Sequence, residues 1–170
     1  MITYKQGNLI TAFKNGEINA IAHQTNCTFG LGAGFAKLIA NEFPHVVELD
    51  KKHRESNRNT PEKIVGSYLT TSCNHGWITN LYGQFYTGSP ANEYFDTFDQ
   101  RCNWLRSSML KLVELPMFKF NFDLKIGIPL LASHRGACQK RRIGLTDLEY
   151  FQKYIEPLIP REMDITVYYL

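Results

Sequence analysis

Cysteine is scarce in this chain: Cys27, Cys73, Cys102 and Cys138 stand far apart, which gives neither a zinc pattern nor a disulfide framework. No apolar run approaches the roughly 18 residues a membrane-spanning helix needs. No secretory pattern opens the chain, so the expected setting is reducing and cytoplasmic. Charge of one sign is lacking as well, the formal net charge being +3, and this argues against a nucleic-acid footprint over the whole domain. One basic cluster stands out, Lys140-Arg141-Arg142 with Arg135 nearby. It reads as a solvated loop, with a local phosphate or nucleic-acid contact as the alternative. Internal repeats, low-complexity tracts and linker-like shifts in composition are absent too.

What remains is ordinary globular material. The chain has 170 residues, 44% hydrophobic and 21% charged, enough for a single domain around one core. Residues 2–5 alternate as a short strand that ends at Gly7-Asn8, and 18–23 is a second apolar, β-branched run. Residues 33–43 place Phe35, Leu38, Ile39 and Phe43 on one helical face that stops before Pro44, and a charged helix then ends near Arg54. A polar loop follows at 56–61. Residues 64–72 and 77–82 read as a hairpin turning through Cys73-Asn74-His75-Gly76.

Between 92 and 115 the apolar positions Phe95, Phe98, Cys102, Leu105, Met109 and Leu112 step by three and four, the stripe of a long core-facing helix. Residues 124–131 read as a buried strand. Thr146-Asp147-Leu148-Glu149 is a capping box opening a helix with Leu148, Phe151, Ile155 and Leu158 inward. Residues 164–170 have the composition of a closing strand. Strands alternating with helices imply an α/β fold, a three-layer α/β/α sandwich with a central mixed sheet.

The strongest local signal is the loop after the second strand, from Asn26 to Phe35, with glycines at 30, 32 and 34. Alternate glycines let backbone N–H groups approach a diphosphate, and the helix that starts there aims its positive end at the same place. A tight turn requiring positive φ is the competing explanation. A dinucleotide fingerprint fits less well, because the third glycine is not at the required offset. Asp50, about 20 residues on, is expected on the solvated face of the charged helix.

These segments resemble a known family. The opening Ile2-Thr3-Tyr4-Lys5-Gln6-Gly7-Asn8-Leu9, the stretch 19–37, the strand 77–81 with Gly83-Gln84, Gly127-Ile128-Pro129 and the closing Thr166-Val167-Tyr168 look like a macrodomain, the ADP-ribose-binding module. The likeness is strongest to the free-standing yeast-type ADP-ribose 1''-phosphate phosphatases and the terminal ADP-ribose–glutamate hydrolases. It implies ADP-ribose or a derivative as ligand, hydrolysis at the distal ribose, and no metal or cofactor. The alternative is a non-catalytic binding module.

By position, the resemblance implies that Asn8, with Leu9 beside it, takes the adenine-recognition place usually held by an aspartate. Asn8 also reads as a plain turn residue. Asn26 would reach the distal ribose, while Gly32, Ala33, Gly34 and Phe35 would face the diphosphate. His23 matches a histidine to which phosphatase-type members assign a catalytic role, and it also reads as a core histidine.

A second loop, 131–144, lies at the carboxyl end of the 124–131 strand, where open sheets bind ligands. Ser133, His134, Arg135 and Gly136 are its phosphate-binding candidates. It is longer and more basic than the short glycine-rich loop of typical members. Asp147 is the nearest counterpart of the aspartate of hydrolase-type members, and also an ordinary acidic residue in a first helical turn. The lysine nucleophile of the glutamate-linked hydrolases would fall near Gln84, and an amide cannot form a Schiff base.

Overall fold

A computed structural model of the chain describes residues 1–88, 95–120, 123–131 and 144–170. Its strands are β1 (Ile2–Gln6), β2 (Ala20–Asn26), β3 (Tyr68–Cys73), β4 (Gly76–Gln84), β5 (Ile126–Pro129) and β6 (Ile165–Tyr169). They form one sheet in the order β1-β6-β5-β2-β4-β3. All neighbours run parallel except the β3–β4 hairpin, so the sheet is mixed.

The helices divide between the two faces. On one lie α1 (Leu9–Lys14), α2 (Gly34–Glu42) and α3 (Pro44–Ser56), whose Phe13, Ile39 and Val46 pack on Ile21 and Ile78 of the sheet. On the other lie α4 (Phe98–Val113) and α6 (Asp147–Tyr154), with Leu105, Met109, Leu112 and Phe151 against Ala20, Ala22, Leu81 and Val167. A short α5 (Pro116–Phe120) follows α4. The alternation of β2 explains the division: Ala20 and Ala22 point one way, Ile21 the other. The expected α/β/α sandwich is therefore present.

The hairpin turns where expected, with Cys73 paired to Gly76 across Asn74-His75. The capping box at Thr146 also forms: its hydroxyl accepts the Glu149 N–H at 3.2 Å, and the Glu149 carboxylate accepts the Thr146 N–H at 2.8 Å. Other expectations are corrected. The strand expected from residue 64 begins at Tyr68, because residues 61–63 make a 3-10 turn and Gly66 takes φ +71°. The helix expected from residue 92 begins at Phe98, behind a capping box of Thr97 and Gln100. Phe95 thus precedes the helix instead of riding on it. Pro44 ends one helix and opens the next, its fixed φ suiting a first helical position. Leu38 is 49% exposed rather than inward.

Gly76 shows where a backbone approach dictates the residue. It has φ +131°, and a Cβ there would stand 1.9 Å from the Asn19 carbonyl oxygen. Gly16 also has positive φ (+75°) but open space around it. Gly76→Ala is expected to lower unfolding free energy by at least about 2 kcal/mol, from strain and overlap together. Gly16→Ala should cost only about 1 kcal/mol, from the left-handed backbone alone. Urea denaturation of the two variants checks the difference.

Candidate functional site

A cleft of about 610 Å³ opens at the carboxyl ends of the parallel strands. Asn8 and Leu9 after β1, Asn26 at the end of β2, Gln84 at the end of β4, Pro129 at the end of β5 and Tyr169 at the end of β6 all line it. This is where an open α/β sheet leaves room for a ligand, since the connections to its helices diverge there.

The loop from β2 to α2 is tied by one side chain. Asn26, 5% exposed, accepts backbone N–H groups of Thr28, Phe29 and Gly30 on Oδ1 at 3.1, 2.6 and 3.2 Å, while its Nδ2 donates to the Gly30 carbonyl at 2.8 Å. Its amide is turned into the loop it shapes, while the residue also lines the cleft. The loop ends at Ala33, the N-cap of α2, which supplies no side-chain cap, and the first turn holds no acidic residue. Ala33, Gly34, Phe35 and Ala36 line the cleft, so the unsatisfied N–H groups and the positive end of α2 face it. Gly32 is exposed and lies off the cleft, whereas Gly30, with φ +77°, lines it together with Gly34.

Asn8 is the N-cap of α1, its Oδ1 accepting the Thr11 N–H at 3.0 Å, a helix start that its turn-like sequence context concealed. Asp147 is exposed at the first position of α6 and lines the opposite side of the cleft. Ser133, His134, Arg135 and Gly136, with the basic cluster at 140–142, lie outside the described residues.

Behind the loop stands a buried ionic network that the sequence did not reveal. Asp50, expected in solvent, is fully buried on α3. Its Oδ2 accepts Arg54 Nε at 2.9 Å, and its Oδ1 accepts the Tyr82 hydroxyl at 2.7 Å and Asn80 Nδ2 at 3.2 Å. The i, i+4 spacing of Asp50 and Arg54 was visible, but it suits a solvated helix face equally well. The Tyr82 hydroxyl is pushed up, first by burial and then by the Asp50 charge. Cys27 is likewise pushed up to about 12 by burial, with the Asp96 and Asp50 charges adding to it, so it is no nucleophile at neutral pH.

His23 sits mid-strand in β2 opposite Asn80, fully buried, its ring centroid 5.9 Å from that of Phe35. Asn80 and the Gln24 backbone approach the ring, but neither nitrogen reaches hydrogen-bond geometry, and burial dominates. The imidazole is depressed to about 4 and is neutral at neutral pH.

The adjoining segment, residues 85–88, whose Phe85 carbonyl accepts the Cys27 N–H at 3.1 Å and the Thr28 hydroxyl at 3.2 Å, is tied by a second buried pair. Asp96, at φ +59°, accepts the N–H groups of Phe85 and Tyr86 at 3.2 and 3.1 Å and pairs with Arg101. Arg101 Nη1 reaches on to the Gly88 carbonyl at 2.6 Å. Thr87 and Gly88 line the cleft, as does Gln84, whose Oε1 accepts Gln24 Nε2 at 3.2 Å.

Two consequences are measurable. Asp50→Ala strands Arg54, Tyr82 and Asn80, and is expected to cost about 3–5 kcal/mol in urea denaturation. For His23, the folded pKa lies below the ordinary 6.5, so between pH 6.5 and about 4 the unfolded chain takes up a proton the folded one refuses. Stability therefore falls as pH drops through that window. A His23→Leu variant should show a shallower pH dependence of unfolding there, by roughly 1–3 kcal/mol across the window.

No family model matches the chain. A stretch of 98 residues, 55% of the chain, is 32% identical to an uncharacterized 17.5 kDa protein of the tk-vs intergenic region of Enterobacteria phage T4, and spans 59% of that protein's length. The macrodomain of Thermus aquaticus DarG is similar over 100% of this chain and 99% of its own, with a TM-score of 0.65 at 16% identity. Thermosipho africanus DarTG, solved in complex with ADP-ribose, is similar over 98% of this chain and 41% of its own, with a TM-score of 0.57 at 16% identity. The mixed sheet and the two helical layers are thus those of the macrodomain fold.

Proposed function

We propose that the chain binds ADP-ribose or a derivative of it in the cleft, with the diphosphate seated at the start of α2. The observation that carries this reading is an uncapped helix N-terminus, free of acidic residues, lining a cleft of about 610 Å³ at the strand ends. A protein of the same fold, DarTG, has been solved with ADP-ribose. The phosphate-facing amides are those of Ala33, Gly34, Phe35 and Ala36. At the adenine end, Asn8 keeps a second lone pair on Oδ1 and its Nδ2 donors, which suit the amino group and a ring nitrogen of the base. Ser133, His134, Arg135 and Gly136 stay candidates for the second phosphate-binding loop.

Hydrolysis at the distal ribose is the finer reading, and the exposed Asp147 carboxylate at the cleft favours it. Water would enter and ADP-ribose and inorganic phosphate would leave ADP-ribose 1''-phosphate, with Asp147 accepting the proton of the attacking water. His23, buried and neutral, is the other candidate, and a role for it in proton transfer requires the ligand to raise its pKa. Gln84 at the end of β4 offers no amine, which speaks against a lysine-type mechanism.

Calorimetric titration with ADP-ribose is expected to give roughly micromolar affinity, weakened at least about tenfold in Gly34→Val, whose side chain would strain a φ of +55° at the start of α2. No heat at millimolar ADP-ribose overturns the proposal. Phosphate release from ADP-ribose 1''-phosphate, measured for wild type, His23→Ala and Asp147→Asn, decides the finer reading. Turnover lost in Asp147→Asn supports hydrolysis, whereas binding without release leaves a binding module.

A further inference from the structure

We infer that Arg54 is a positioning residue for the β2–α2 loop: anchored by Asp50, its guanidinium occupies the space beside Gly30 and sets the backbone from which α2 presents its amides. The inference rests on the proposed use of that loop to hold an anion. A Cβ placed on Gly30 would stand 2.4 Å from Arg54 Nη2, 3.0 Å from Cζ and 3.4 Å from Nη1, so the planar head of the arginine stands where a side chain at 30 would be. The head is fixed from behind, because Nε donates to Asp50 Oδ2 at 2.9 Å and the Arg54 side chain is only 20% exposed.

Gly30 is therefore gripped twice. Asn26 holds its N–H and its carbonyl from within the loop, and Arg54 stands against its Cα from beneath. The grip continues into the sheet, since Asp50 accepts hydrogen bonds from Tyr82 and Asn80 on β4. A line of contacts thus runs from a central strand through α3 to a glycine that lines the cleft. The arrangement requires a planar head: a lysine would keep the charge opposite Asp50 and lose the flat surface under Gly30.

The test uses the intact chain carrying Arg54→Lys and, separately, Gly30→Ala. Three quantities are read: urea unfolding, ADP-ribose affinity by calorimetry, and amide hydrogen exchange without ligand at Thr28, Phe29 and Gly30, whose N–H groups bond to Asn26. Arg54→Lys is expected to speed exchange at these three amides and to weaken ADP-ribose binding roughly tenfold, the order of loss that follows when the supporting shell of a site is disturbed. Unfolding should change little. In the double variant the two losses should fall short of adding, because part of the Gly30→Ala loss comes from overlap with Arg54, while the strain of an alanine at φ +77° remains. Loop exchange and affinity equal to wild type in Arg54→Lys overturn the inference. So does faster exchange spread evenly over α3 and β4, which marks a purely structural role. If the wild type ignores ADP-ribose, the proposed function falls, while the exchange measurement still judges Arg54.

Discussion

The fully buried Asp50 carboxylate is the constraint from which the cleft's near wall follows. A charge removed from water must find donors, and these come from three directions: Arg54 on the same helix, Tyr82 and Asn80 on the neighbouring strand. To satisfy all three, α3 has one rotation and one height on the sheet. That fixed height is what brings the Arg54 head under Gly30. Such a network contributes little net stability over a well-packed apolar equivalent, but it permits few alternative arrangements. The adjoining segment 85–88 repeats the device with Asp96 and Arg101, where Asp96 holds two backbone N–H groups of the stretch that carries Thr87 and Gly88.

With the loop and its neighbouring segment fixed, the cleft is electrostatically lopsided. At one side α2 begins without an acid or a side-chain cap; at the other, α6 begins with Asp147 and Glu149. Among the described lining residues no lysine or arginine stands in the cleft. What the described residues offer an anion at the α2 end is a set of oriented amides, whose strength depends on backbone geometry. On the proposed reading, the shape of the loop would govern that attraction, and the side chains behind the loop would matter as much as those that line it. In a ligand whose diphosphate joins a nucleoside to a second sugar, the phosphates would favour the α2 side and the second sugar's hydroxyl groups the α6 side.

Much of the fold was legible because its signals are local. The hairpin turn, the Thr146 capping box and the stripe from Leu105 to Leu112 each depend on residues within a few positions of one another, and all are found as read. The errors arise where a local pattern has two physical meanings. Thr97-x-x-Gln100 marks the true start of α4, yet the apolar step through Phe95 continued the helical period backwards past it. Asn8 after Gly7 suits a turn and equally caps α1. Asp50 and Arg54 at i, i+4 suit a solvated face and a buried pair alike, and only the Tyr82 hydroxyl, 32 residues away, decides between them. The glycine loop was found from spacing, but that Gly30 lines the cleft beside Gly34 while Gly32 does not follows from Asn26 folding its amide inward and from Arg54 beside Gly30, neither of which spacing records.

His23 illustrates how a fold constrains chemistry before any ligand arrives. With a pKa near 4, only about one imidazole in a thousand is protonated at neutral pH, and the neutral ring is too weakly basic to hold a proton taken from water. Its depression comes chiefly from burial, with Asn80 and Asp50 pulling the other way. An anion seated near the start of α2 would add to that upward pull, because Phe35 both lines the cleft and packs on the imidazole. In the empty cleft His23 is therefore a neutral core residue, and the acid–base role proposed for it would begin only with the ligand's own charge.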